Sequence, residues 1–418
     1  MGYKRYKMLQ KYINGEPQEE YKQGELIDDT IYQTLDACNE GNQNPDKPIE
    51  GDIYQWVTVS GEYECVGYDK YTKEKEQVST DGGQTWTDTG QTRAGTLIEA
   101  NSVDCGYVPP YLTIQSLEDN NTIGFKCNLN KVKRTISIST DNGVTWTGKT
   151  SSTSGKILAT LNTGEKMLIK GNNSSYAMSG YTDGLYNYFT STKQFVLEGN
   201  IMSLINSTNF ENLNTLTSER TFNRLFYECS KLVSAENLSL PAMTLTRDCY
   251  GNMFECCTSL TSAPVLPATT LADSCYANMF FDCTSLTTAP ALPATTLARD
   301  CYGGMFDNCT SLTTAPALPA TTLASGCYQN MFAVCTSLTT APVLPATTLV
   351  DYCYSLMFDI CTRLTSITCL ATDISAYNCT NGWVHDVAAS GTFTKNSSMS
   401  NWTTGEDGIP SGWTVINE

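Results

Sequence analysis

A 26-residue period runs through the second half of this 418-residue chain and constrains its fold more than any other feature. A Cys-Tyr pair recurs at 249–250, 275–276, 301–302, 327–328 and 353–354. Met253, Met279, Met305, Met331 and Met357 each precede a Phe, and Cys257, Cys283, Cys309, Cys335 and Cys361 each precede a Thr. Pro267, Pro293, Pro319 and Pro345 keep the same step. One such unit cannot bury its own apolar faces, so neighbouring units must stack and share a core.

Within a unit, Cys275, Met279 and Cys283 lie at i, i+4 and i+8, with Tyr276 and Phe280 offset by one, which predicts a helix with a broad apolar face. Thr295 and Thr296 stand where hydroxyls can cap the next helix. The segment from Leu286 to Pro293, crossed by two prolines, predicts an extended stretch. Its Leu286, Ala289 and Leu292 should point inward. Thr287 and Thr288 should face outward and repeat as Thr313/Thr314 and Thr339/Thr340, a ladder of hydroxyls. A 26-residue step falls in the leucine-rich range of 20–29. The expected fold class is therefore multidomain: N-terminal β modules with Asp-box hairpins, an α/β leucine-rich-repeat solenoid of 26-residue coils, and a C-terminal cap.

Fourteen of the 18 cysteines lie between 229 and 379. Packing explains them best, because free cysteine is among the most buried residue types. Cys275 and Cys283, like Cys301 and Cys309, are eight residues apart, too far along a helix to converge on a metal, so no metal and no cofactor is expected. With Phe280 and Phe306 these cysteines are the candidate core columns. Bridges between adjacent coils would suit the stacking distance, but a reducing cytoplasm favours thiols.

Composition shifts near residue 200 from charged and aromatic to Thr, Ala and Pro, and Lys is absent between Lys231 and Lys395. Before that point, alternation such as Tyr54-Gln-Trp-Val-Thr-Val predicts β structure. Ser79-Thr-Asp-Gly-Gly-Gln-Thr-Trp86 and Ser139-Thr-Asp-Asn-Gly-Val-Thr-Trp146 both match the Asp-box pattern Ser-x-Asp-x-Gly-x-Thr-Trp. In such a hairpin Asp81 or Asp141 accepts backbone amides, Gly83 or Gly143 supplies positive φ, and Trp86 or Trp146 packs beneath. The expected domains are an attachment arm at 1–48, a β module at 49–107, a sandwich-like module at 108–199, the repeats at 200–387 and a cap at 388–418.

Forty-three acids against 26 bases give a net charge of −17, which argues against binding nucleic acid phosphates. No apolar run reaches the ~20 residues that span a bilayer, and the basic start Lys4-Arg5-Tyr6-Lys7 has no apolar core behind it, so neither membrane insertion nor export is expected. His385, the one histidine, sits beside Asp386 with no nucleophile in a recognisable pattern, and no carboxylate pair or phosphate loop is marked by spacing. The chain reads as a non-enzyme.

The unit Leu-Pro-Ala-Thr-Thr-Leu…Cys-Tyr-x-x-Met-Phe-x-x-Cys-Thr-Ser-Leu-Thr-Thr-Ala-Pro resembles the BspA-like leucine-rich repeats of gut Bacteroidetes and their phages, over roughly 220–385. The longer frame, including Ser79 to Trp86, Gly199-Asn-Ile-Met-Ser-Leu and Trp402-Thr-Thr-Gly, is similar to repeat proteins of crAss-like and related bacteriophages. The first resemblance implies adhesion at a bacterial cell surface. The second implies a virion surface component, a tail or head fibre or a decoration, assembled in the host cytoplasm. The missing export signal favours the virion. The expected partners are other virion proteins through the N-terminal region and a host cell-surface glycan or protein, with a homo-oligomer compatible. The ladder Thr287, Thr288, Thr313, Thr314, Thr339 and Thr340 is the expected contact surface, with Asn278, Asp307 and Gln329 as second choice.

Overall fold

The computed structural model describes residues 12–13, 16–17, 53–66, 69–79, 84–99, 110–178 and 184–418, and the chain divides into two compact units, Met1–Tyr107 and Val108–Glu418. In the first, a short antiparallel pair β1 (Tyr12–Ile13) and β2 (Glu16–Pro17) is separate from a three-stranded meander. The meander runs β3 (Ile53–Val66), β4 (Asp69–Ser79) and β5 (Thr87–Glu99), each strand antiparallel to the next. Trp56 lies under the Arg93 guanidinium at 4.4 Å, and Arg93 in turn pairs with Glu74 at 2.8 Å. Most of the expected arm, and Asp81 and Gly83 of the first Asp box, lie outside the described residues.

The second unit opens with two sheets. One has the order β10-β7-β13-β12, from β7 (Asn121–Cys127), β10 (Lys156–Leu161), β12 (Ala177–Met178) and β13 (Leu185–Ser191). The other runs β15-β14-β6-β11-β8-β9, from β6 (Leu112–Ser116), β8 (Thr135–Ser139), β9 (Thr147–Thr150), β11 (Lys166–Gly171), β14 (Phe195–Asn200) and β15 (Leu232–Ser239). Strand alternation sends Leu112, Ile114, Ile123 and Phe125 into one core. That core does not stop at the sheets. β15 lies parallel to β14, and Phe125, Phe189, Phe226 and Phe254 stack in series at 5.0–5.6 Å, so sheet aromatics and repeat aromatics form a single apolar body.

The α/β leucine-rich-repeat solenoid expected from the period is not what forms. Among the described residues there is no α-helix; the unit is several β-sheets followed by turns, with no helical layer closing against an inner sheet. Where the i, i+4, i+8 spacing predicted a helix, the backbone makes consecutive four-residue turns. Ser274, Asn278 and Asp282 all take left-handed φ of 52–57°, and Asp248, Asn252 and Cys256 one unit earlier take 53–61°. Amides then alternate. Cys275, Ala277, Met279 and Phe281 bond three residues back, while Ser274, Tyr276, Asn278 and Phe280 donate to carbonyls of the next coil, such as Tyr276 to Cys301 at 3.0 Å. An α-helix would keep all of these bonds within itself, at i−4. Thr296 caps no helix; it forms an isolated parallel bridge to Thr322.

Side-chain columns hold the coils together. Phe254, Phe280, Phe306, Phe332 and Phe358 stack at 5.6–5.9 Å, and Tyr250, Tyr276, Tyr302, Tyr328 and Tyr354 at 5.7–6.1 Å. These separations fall in the favourable range for aromatic pairs. Cys275, Cys283, Cys301 and Cys309 are free thiols with 0% exposure. The last coils pass into a parallel sheet of β16 (Ser366–Cys369), β17 (Thr392–Lys395) and β18 (Thr414–Asn417). Trp383 continues the aromatic column, stacking on Tyr354 at 6.3 Å and Trp402 at 5.6 Å. No helix among the described residues is long and apolar enough to cross a membrane.

Candidate functional site

Leu286 and Leu292 turn into the core of the second unit, which forces the adjoining threonines to the surface. Thr287, Thr288, Thr313, Thr314, Thr339 and Thr340 are all exposed. They are held in register between coils: Thr288 pairs with Thr314 and Thr340 with Ser366, and the Thr313 amide donates to the Thr287 carbonyl at 3.3 Å. The Thr313 hydroxyl leans back on the same carbonyl at 3.4 Å, so it serves the stack as well as the surface. A second exposed row, Thr295/Thr296, Thr321/Thr322 and Thr347/Thr348, runs alongside, with exposed Val265 and Val343 between the rows. No charged residue occurs in 284–297, 310–323 or 336–349.

On the turn-bearing part of the same coils, Asn278, Asp307 and Gln329 come together around an open groove of about 300 Å³, joined by Asp300, Gly303, Gly304 and Asn330. The glycines leave room for the side chains of the preceding coil. A Cβ on Gly304 would stand 2.1 Å from the Asn278 Oδ1, and one on Gly326 2.0 Å from the Asp300 Oδ1, so both polar side chains occupy space that a side chain would otherwise fill. Burial, and then the charge of Asp359, push the Asp307 carboxyl up to about 6, against hydrogen bonds from the Asn308 amide and the Asn330 side chain. Asp300 pairs at the rim with Arg299 at 3.2 Å. Three of these residues, Asn278, Asp307 and Gln329, are the variable positions that the sequence offers as second-choice contacts. Asp300, Gly303, Gly304 and Asn330 were missed, although the Gly-Gly step stands out against Ala277-Asn278 and Gln329-Asn330 in the flanking units.

His385 lies one coil beyond Asp359, its Nδ1 2.7 Å from the Asp359 Oδ1, and that hydrogen bond raises the imidazole pKa above its ordinary value. Asp386 stands farther off, at 3.9 Å from Nε2. Among the described residues no group of three His, Cys, Asp or Glu side chains is arranged to hold a metal ion.

The second Asp box closes on itself. Asp141 accepts from the Ser139 hydroxyl at 2.6 Å and the Thr145 amide at 2.9 Å, and these bonds with the Thr145 hydroxyl hold its pKa at about 2. Gly143 has φ +89°, and the Trp146 Nε1 donates to the Gly143 carbonyl at 3.0 Å. Trp146 packs edge-on to Tyr111 at 4.9 Å, with the Lys170 ammonium 3.8 Å from its ring centre. The polar groups of Ser139, Asp141, Thr145 and Trp146 are turned to the hairpin, which is a folding role. Of the first box, Trp86 is half-buried. No family model, curated protein or solved structure matches the chain.

Proposed function

We propose that the chain is a non-enzymatic virion surface protein, a fibre or decoration component, whose stacked repeats bind a host cell-surface glycan or protein. The observation that carries this reading is the pair of exposed, in-register threonine rows on a face without charge. Such a surface offers the same hydroxyl and methyl pattern coil after coil, which suits a ligand that is itself a repeating polymer and lets weak contacts add through avidity. The resemblance of the sequence to repeat proteins of crAss-like phages supports the virion setting, with the N-terminal region contacting other virion proteins.

Thr313→Lys with Thr314→Lys tests the surface. The lysines sit on exposed positions and leave the core columns untouched. Loss of binding to host cells, with the fold kept and thermal stability lowered only slightly by loss of the Thr313 hydroxyl contact, is the expected result; undiminished binding removes the threonine rows as the contact surface. Because the face has no charge to screen, binding should depend weakly on salt.

A further inference from the structure

In a stacked array each coil needs only its column residues, so a combination of other residues found together in one coil alone asks for a separate explanation. Asp300, Gly303, Gly304 and Asp307 all belong to one coil, and all four line the groove between Asn278 and Asn330. The flanking units show that the coil requires none of them. Asp307 aligns with Phe281 and Ala333, and Gly303 with Ala277 and Gln329; Asp248 and Gly251 repeat two of the four in another unit and Asp359 a third, so what this coil alone has is Gly304 and the combination of all four. Gly303 gives up backbone entropy, and a half-buried carboxylate beside Asp359 lowers stability at neutral pH.

The groove's chemistry is specific. Two carboxylates accept only, and three carboxamides from Asn278, Gln329 and Asn330 both donate and accept. Arg299 stands at the rim already paired with Asp300, and no cationic side chain is among the lining residues, which disfavours phosphate and acidic sugars. The absence among the described residues of three convergent His, Cys, Asp or Glu groups disfavours a divalent cation. Its size is at the lower end for small-molecule sites. We propose that this groove binds one hexose or N-acetylhexosamine residue of a neutral glycan, with Asp300 and Asp307 accepting from ring hydroxyls and Asn278, Gln329 and Asn330 completing the hydrogen bonds. The site lies apart from the threonine rows and does not depend on them for contact, though it shares with the proposed function the premise that the array faces a glycan.

The test uses the full chain and a panel of neutral methyl hexosides and methyl N-acetylhexosaminides, followed by saturation-transfer NMR and titration. Gly303→Gln fills the groove with the residue found at the aligned position 329, and the space at Gly303 admits a Cβ at ordinary contact distances of 3.4 Å or more. Asp307→Asn keeps the shape and removes the charge. The proposal expects at least one sugar to bind, its affinity to fall at least tenfold in both variants, and the Thr313→Lys/Thr314→Lys protein to bind it as wild type does. That last arm separates failure of the groove from failure of the threonine surface. Binding of no sugar in the panel, sugar binding unaffected by Gly303→Gln, or binding of calcium alone each overturns it.

Discussion

The Cys309 thiol donates to the carbonyl oxygen of Phe280, in the preceding coil, at a sulfur–oxygen distance of 3.2 Å. The same link joins Cys283 to Phe254, Cys335 to Phe306 and Cys361 to Phe332, so one thiol per unit ties each coil to the one before it. A short side chain with a weak donor fits this place, where a longer residue would displace the aromatic column.

Loss of a column residue should therefore act on the stack rather than on one coil. Phe306→Ala is expected to cost about 3–5 kcal/mol, as for other buried Phe truncations, and Cys309→Ala about 1–2 kcal/mol. Hydrogen exchange should show lost protection in the coils on both sides of the substitution. Loss confined to 300–309 would contradict coupling through the columns.

Thiol chemistry should report the same burial. Burial raises Cys283 and Cys335 well above the ordinary thiol pKa, and Cys257 likewise. Cys256 is partly exposed, and even its pKa is pushed up to about 11 by burial. Alkylation of the native protein at pH 8, mapped by mass spectrometry, should modify Cys256 slowly and leave the three buried thiols intact until denaturant is added.

Strain is concentrated where left-handed positions carry unsuitable side chains. Val334 and Ile360 have φ of 58°, at a corner that Asp282 and Asn308 occupy in other units. A β-branched residue there costs roughly 1–2 kcal/mol. Val334→Asn should recover about 1 kcal/mol, read as a higher denaturation midpoint at constant slope.

Asp307 predicts a pH dependence with a definite sign. Its folded-state pKa, about 6, lies above the ordinary aspartate value, so the folded state holds the proton more tightly. Its contribution is neutral below about pH 4 and increasingly destabilising as pH rises to about 6. Asp307→Asn should match wild type near pH 4 and exceed it at pH 7 by on the order of 1 kcal/mol, after allowance for solvent screening of a partly exposed group. Denaturation curves of both proteins at the two pH values check it; equal stability at pH 7 would contradict the raised pKa.

Of the groove, the sequence made Asn278, Asp307 and Gln329 visible as variable positions. It did not reveal that Gly304 leaves room for the Asn278 carboxamide, because one residue's missing side chain matters only once the neighbouring coil is in place. The corner positions left a signal that went unread: Asp248, Asn252, Asn278, Asp282, Asp300, Gly304, Asn308, Gly326 and Asn330 fall at every fourth residue, and these are the types that tolerate left-handed backbone.

The period, the aromatic and thiol columns and the outward threonines follow from the order of residues, since apolar side chains at a constant step have to meet their counterparts. The backbone between them does not follow. Cys275, Met279 and Cys283 would share one face of an α-helix and equally one side of a run of four-residue turns, so their spacing leaves both open. The difference lies in where alternate amides find their carbonyls. Here the partner is in the next coil, as when Tyr276 donates to Cys301, and that bond exists only after the coils are stacked.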